Sequence, residues 1–218
     1  MTLLRAARVL IRPRYRFNWI RGRTTTEGFV WYLRGTNFPS THEDWLRSLV
    51  QPFDGELFVD VGAHIGTWAV RATRTFRAVV AFEPNVETNR ILRTTVKMNE
   101  LNNISVYRAA LSNISGERIV STRNWMSRKR AEFRVPVRTL DGFKLKPSLI
   151  KIDTEGDEFP VLQGAIETLK GRPRVLVETH SPESLSKTRD HLEAYGYSIR
   201  EFKRKNRFNQ MQSWLFCN

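Results

Sequence analysis

The sequence predicts an α/β domain whose sheet is mostly parallel and covered by helices on both faces. Three observations predict it. Continuous apolar runs at 57–62, 78–83, 149–153 and 174–178 alternate with segments of helical period, the pattern of strands buried on both sides. The first run ends in a glycine turn that leads straight into a helical segment. Two late segments, 197–204 and 211–217, pattern as antiparallel edge strands and make the sheet mixed. The domain occupies 51–218. Residues 1–50 read as a basic N-terminal arm with a helical extension.

The elements follow in order. Residues 57–62 form the first buried strand and 66–75 the first helix. Residues 78–83 form the second strand, closed by Pro84. Ile91, Leu92 and Val96 give 86–99 a helical period. A third strand runs from 104 to 109. Residues 117–122 and 134–140 are short strands around a basic loop, 123–130. The strand at 149–153 leads to a helix at 157–170, stopped by Gly171. The strand at 174–178 leads to a helix at 182–195, with Gly196 past its end.

Composition narrows the function classes. The chain has 218 residues and a formal net charge of +14. Its 40% hydrophobic and 11% aromatic content fills a core and argues against wholesale disorder. No run approaches the roughly 18 apolar residues of a membrane-spanning helix, and a secretory h-region is missing. The expected location is cytoplasmic, with the arm at a membrane surface. Cys217 is the single cysteine, so an intrachain disulfide is impossible. The charge is uneven. Residues 1–26 carry +7, 123–130 carry +4 and 200–207 carry +4, leaving the rest near neutral. Leu3, Leu4, Ala7, Leu10 and Ile11 recur at helical spacing, with Arg5, Arg8 and Arg12 on another face. Three readings stay open for this arm: an anionic membrane surface, packing on the domain, and a targeting segment. Convergence of Arg14, Arg128 and Arg204 would form a platform for an anionic acceptor or membrane.

The chemistry sits at Asp60-Val61-Gly62-Ala63-His64-Ile65-Gly66. A glycine turn there lets backbone N–H groups approach a ligand at the crevice where strand order reverses. Glu83 ends the second strand, where an acid accepts hydrogen bonds from ribose hydroxyls. The turn has two glycines and a preceding acid, Asp60, which serves a pyrophosphate poorly. A donor with a cationic amino-acid end suits it better. S-adenosylmethionine has that end, and the pattern favours it over NAD.

Four blocks carry a specific resemblance. They are Phe58 to Gly66, Ala81-Phe82-Glu83-Pro84-Asn85, Leu149 to Glu158 (L-I-K-I-D-T-E-G-D-E) and Val177-Glu178-Thr179-His180. Ala109-Ala110-Leu111-Ser112 and Val137-Arg138-Thr139-Leu140-Asp141 agree more weakly. In this order and spacing the chain resembles the FkbM family of S-adenosylmethionine-dependent methyltransferases. His64 departs from the family's usual asparagine. The resemblance implies a class I, Rossmann-like methyltransferase fold with a mixed seven-stranded sheet. It also implies O-methylation of a hydroxyl on a glycan, glycolipid or related small acceptor. By motif position it implies that Asp60, Gly62, Ala63 and Gly66 hold the methionine end; His64, in the same turn, is open to contact with the donor's carboxylate or to a role as an exposed spacer. Glu83 would take the ribose, Pro84 and Asn85 the rim, and Ala109, Ala110 and Leu111 the adenine. Asp153 would stand beside the amine and the reacting centre.

A hydroxyl is a weak nucleophile near neutrality, so a base helps. His180, just past a strand end on the ligand face, is the first choice; a helix-capping role is the alternative. Asp153, Glu155 and Glu178 cluster at two strand ends. Acceptor hydroxyls, a divalent metal, mutual pKa perturbation and a structural role are all open to them, and a metal is disfavoured because no compact ligand spacing enforces it. Trp68 and Trp125 are candidates for stacking, with burial the commoner fate for Trp68. The competing function is RNA methylation, with Tyr15, Phe17, Trp19 and Trp125 interleaved among arginines. A binding protein that keeps the fold without the activity is the third class.

Overall fold

The computed structural model describes residues 21–24, 27–33, 44–123, 130–205 and 211–218. The chain opens with a two-stranded hairpin, β1 (Arg21–Thr24) and β2 (Val30–Leu33), and a short helix α1 (Asp44–Leu49). The domain then runs β3 (Gly55–Val61), α2 (Ala69–Ala72), β4 (Phe76–Phe82), α3 (Val86–Met98) and β5 (Ile104–Tyr107). Next come β6 (Ala110–Leu111), β7 (Gly116–Arg123), β8 (Arg130–Arg138), β9 (Leu149–Ile152), α4 (Glu158–Gln163) and α5 (Ile166–Lys170). It closes with β10 (Arg174–Thr179), α6 (Pro182–Ala194), β11 (Ile199–Lys205) and β12 (Met211–Cys217).

Seven strands form one sheet in the order β11-β12-β10-β9-β3-β4-β5. β12 enters antiparallel between β10 and β11; the other pairings are parallel. This is the mixed seven-stranded sheet expected of a class I methyltransferase. From β3 the chain steps outward one way to β4 and β5, then returns to β9 and β10 on the other side. The crevice opens at the carboxyl ends of β3 and β9, where the order reverses. A second sheet, β6-β8-β7, stands beside it.

Alternation along the strands fills two core layers. Phe58, Leu149, Leu176 and Trp214 face α2 and α3, joined by Phe29 and Trp31 from the hairpin. Val59, Val61, Ile150, Ile152, Val177 and Leu215 face the other way, onto α4, α5 and α6. The same alternation places Asp60 and Lys151, register partners on β3 and β9, in the first layer among apolar groups.

Some expectations differ in detail. The helix expected over 66–75 is confined to Ala69–Ala72, because the glycine turn uses the residues before it. The helix expected over 157–170 breaks into α4 and α5. A side chain at Gly164 would begin 2.1 Å from the Ser112 carbonyl oxygen, so the chain bends to let that backbone in. The helical extension contains a hairpin that sequence patterning does not reveal. It is docked by Glu27, which takes two bonds from the Arg71 Nε (2.9 and 2.7 Å), and by Asn99, which brackets the Val30 backbone.

The arm over 1–20 and the basic stretch 124–129 lie outside the described residues, and with them Arg14, Trp125 and Arg128. Arg204, on β11, stacks over Trp45 with its guanidinium carbon 5.2 Å from the ring centre. Among the described residues no helix is long and apolar enough to cross a membrane.

Candidate active site

A cleft of about 740 Å³ occupies the switch point. One half lies over the glycine turn. Gly62 has a left-handed φ of +80°, and a side chain there would begin 1.7 Å from the Asp153 carbonyl oxygen. Only glycine lets β3 and β9 cross so closely. The Gly62 and Ala63 N–H groups both donate to the Phe82 carbonyl (3.0 and 2.9 Å), tying the turn to β4. His64 also takes a left-handed φ, +52°. That turn aims its N–H at Glu83 Oε2, 2.7 Å away.

Glu83 is 6% exposed and fixed on three sides. Oε1 accepts from the Asn85 N–H and the Thr88 hydroxyl, both at 2.8 Å. Burial pushes its pKa up against the lowering effect of the bonds from Asn85, Thr88 and His64. Asn85 caps α3 through Glu87 N–H, which explains why E-P-N closes β4 and opens the helix. Pro84, Ala109, Ala110 and Leu111 complete this half.

The other half is acidic. Asp153, Thr154, Glu155 and Asp157 line it from the loop after β9, and Glu178 from β10. Glu178 is 5% exposed and accepts from Gln212 Nε2 (2.7 Å) and Trp214 Nε1 (3.0 Å), both on β12. His180 stands among these groups. Its Nε2 faces Glu155 Oε2 (3.5 Å), Asp153 Oδ1 (3.7 Å) and Glu178 Oε1 (3.8 Å). Its Nδ1 lies 2.8 Å from Glu158 Oε1. Burial opposes the charged ring. The bond to Glu158 and the charges of Asp153, Glu155 and Glu158 outweigh it and push the pKa up to about 9. Asp153, Glu155 and His180 offer polar atoms within 4.8 Å of one another. That spacing, assembled from two strand ends, is compact enough for a metal ion as well as for a proton shared among the three side chains.

Most of the residues expected at the site line the cleft. Asp60, Gly66 and His180 do not. Asp60 is 1% exposed, beneath the floor, 3.9 Å from Lys151 Nζ. Lys151 in turn donates to Asp153 Oδ2 at 3.0 Å, which links Asp60 to the cleft wall. A side chain at Gly66 would begin 2.3 Å from the Leu92 side chain, so this glycine serves helix packing. Trp68 is buried and lies at the cleft floor, with Lys151 Nζ 5.9 Å from its ring centre. The sequence reading missed Lys151, Glu158, Gln212 and the wall formed by Arg118, Ile119 and Val120 on β7. Lys151 and Glu158 stand inside the quoted L-I-K-I-D-T-E-G-D-E block, and a charged residue in a continuous apolar strand is the available signal. Nothing local marks Gln212 or β7. Arg118 is paired with Asp157 across the mouth.

The sheet order, the glycine turn at the switch point and the acid ending β4 define a class I methyltransferase fold. The methyltransferase FkbM domain model matches residues 60–199, and the chain belongs to that family. It is 28% identical over 165 residues to hexuronic acid methyltransferase AglP of Haloferax volcanii, covering 70% of this chain and 66% of that protein. The structure superposes on methyltransferase FkbM from Methylobacillus flagellatus KT with a TM-score of 0.61 at 20% identity, covering 80% of this chain and 46% of the other. It also superposes on M. jannaschii TYW2 in complex with AdoMet, with a TM-score of 0.57 at 14% identity over 94% and 88% of the two chains. The chain thus spans just under two thirds of its archaeal relative and about half of the Methylobacillus protein.

Proposed function

We propose that the chain transfers a methyl group from S-adenosylmethionine to a hydroxyl of a glycan, glycolipid or related small acceptor. The observation that carries this reading is the contiguity of two unlike half-sites. A glycine-floored half ends in a fixed acid, and an acidic half holds a histidine. The donor fits the first half: Gly62 lets the glycine turn close against the Asp153 backbone to form the floor, and Glu83 lines the cleft with its carboxylate fixed by His64, Asn85 and Thr88. S-adenosylmethionine supplies an electrophilic methyl group there. Glu83 accepts from the ribose, Ala109, Ala110 and Leu111 flank the adenine, and the Gly62–His64 turn and Asp153 hold the methionine end.

The acidic half takes the acceptor. Glu155 and Glu178 accept hydrogen bonds from its hydroxyls and orient one toward the methyl group, so that positioning supplies much of the acceleration. His180 takes that hydroxyl's proton at Nε2. With a pKa of about 9, about one molecule in a hundred has Nε2 free at neutral pH, so the rate climbs as pH approaches 9. The Haloferax volcanii relative is named for a hexuronic acid, which makes a uronic-acid-bearing glycan the first acceptor to test.

RNA methylation is the second reading, and it draws on the basic segments. β11 is the segment whose side chains are described, and three of its four cations make contacts within the fold. Arg200 lies over Phe216, Lys203 pairs with Glu201, and Arg204 stacks on Trp45. They protect an edge strand, a common use of such residues. The deciding experiment supplies labelled S-adenosylmethionine with a glucuronate-terminated oligosaccharide or with bulk RNA. Label in the sugar supports the first reading. Label in RNA, with RNA affinity falling steeply as salt rises, replaces it with the second.

A further inference from the structure

We propose that Glu158 is the positioning residue for His180: its buried carboxylate keeps a proton on Nδ1 and turns Nε2 to the cleft as the atom that receives the acceptor's proton. The inference rests on the reading of His180 as base.

Glu158 begins α4 and is fully buried. It is fixed by groups other than His180. Oε1 accepts from the Gly156 N–H (2.8 Å) and the Thr154 hydroxyl (3.4 Å), and Oε2 from the Ser184 hydroxyl on α6 (3.0 Å). The Gly156 bond depends on a loop held in left-handed conformations, φ +58° at Glu155 and +121° at Gly156. Three elements therefore converge on one carboxylate.

Distance decides which way the imidazole faces. Four acids surround it: Asp153 and Glu155 from the loop after β9, Glu178 from its own strand, and Glu158 from α4. The first three stand 3.5–3.8 Å from Nε2, outside hydrogen-bond range, and Asp153 is already bonded to Lys151. Glu158 alone among them is within range, at 2.8 Å. The ring is therefore oriented by Glu158, and its other nitrogen is left to exchange a proton. The pairing also holds Glu158 ionised: burial raises its pKa, yet the bonds from His180, Gly156 and Ser184 bring it below the usual carboxylate value. In the reaction the acceptor oxygen bonds to the methyl carbon as the carbon–sulfur bond breaks toward sulfur. The hydroxyl proton passes to Nε2, and Nδ1 keeps its own.

The test is the ¹⁵N spectrum of His180 in the full chain through a pH titration, assigned with His180→Gln. The expected wild-type ring titrates well above the ordinary histidine range, and its neutral form carries the proton on Nδ1. In Glu158→Gln the titration falls by at least about one pH unit and the neutral form mixes both tautomers. S-adenosylmethionine affinity stays unchanged, which establishes that the variant is folded. A titration unmoved in folded Glu158→Gln overturns the proposal. If that variant does not fold, the wild-type spectrum decides: a neutral ring protonated on Nε2 overturns it. Methyl transfer to glucuronate separates this inference from the reading beneath it. Its pH limb should move with the NMR titration in Glu158→Gln. His180→Gln transferring at the wild-type rate defeats the base assignment itself, whatever the tautomer. No transfer by the wild type defeats the acceptor assignment and leaves the spectrum to judge Glu158.

Discussion

The carbonyl oxygen of Asp153 lies 1.7 Å from the point where a side chain on Gly62 would begin. The glycine turn and the strand end that opens the acidic half of the cleft are thus in direct contact. Gly62→Ala has to push β3 and β9 apart and hold alanine at a left-handed φ. Overpacking costs about 1–3 kcal/mol, and the backbone conformation about 1–2 kcal/mol more. The expected result is a lower denaturation midpoint and S-adenosylmethionine binding reduced to background by calorimetry. Wild-type binding in Gly62→Ala would contradict this account of the turn.

Glu83→Ala removes the acceptor for three donors at once: the N–H groups of His64 and Asn85 and the Thr88 hydroxyl. Hydrogen bonds to a charged group contribute about 1.5–3 kcal/mol, so S-adenosylmethionine affinity should fall about 10- to 100-fold. Glu83→Gln keeps one acceptor oxygen and should lose less. Equal affinities for the three proteins would remove Glu83 from the donor site.

His180 makes stability depend on pH. Its folded-state pKa of about 9 stands above the ordinary 6.5, so folding favours the protonated ring. That contribution is complete below about pH 6.5 and is lost as pH rises through about 9. Thermal midpoints of wild type and His180→Gln, compared at about pH 6 and about pH 10, should converge at the higher value. A constant difference between them would contradict the pairing with Glu158.

Arg71 is buried and bonds Glu27 through two contacts, with its guanidinium 5.4 Å from the Trp31 ring centre. Arg71→Ala should release the β1–β2 hairpin from α2 and α3 at a cost of about 2 kcal/mol. Hydrogen exchange reports it directly. The Val30 amide, bonded to Asn99 Oδ1 at 2.7 Å, should lose protection while the β3 and β9 amides keep theirs. Arg71 also donates to the Thr67 carbonyl at 2.9 Å, and Thr67 lines the cleft, so a modest loss of donor affinity should accompany the release.

The buried strands and most of the residues that line the cleft were legible because each depends on local patterns. Apolar runs fix β3, β4, β9 and β10. Gly62 and Glu83 sit at strand ends where backbone geometry leaves few choices. What escaped depends on contacts distant in sequence. Gln212 and Trp214 reach Glu178 across 34 and 36 residues, and no period or spacing announces that. The burial of Asp60 beneath the floor, beside its cross-strand partner Lys151, is likewise set by pairing between strands distant in sequence. The hairpin at 21–33 straddles the end of the basic arm and a stretch expected to be helical, and its docking depends on Arg71 and Asn99, far along the sequence.

The antiparallel entry of β12 between β10 and β11 bears on synthesis. A ribosome delivers β3 to β9, and with them the donor half, long before residues 211–217 emerge. Until those residues arrive, β10 and β11 have open edges and Glu178 lacks both of its donors. A nascent chain stalled short of Met211 would therefore offer a formed donor turn beside an unfinished acceptor wall, with two sticky strand edges exposed to aggregation. Arrival of β12 thus closes the sheet and finishes the Glu178 wall of the cleft together.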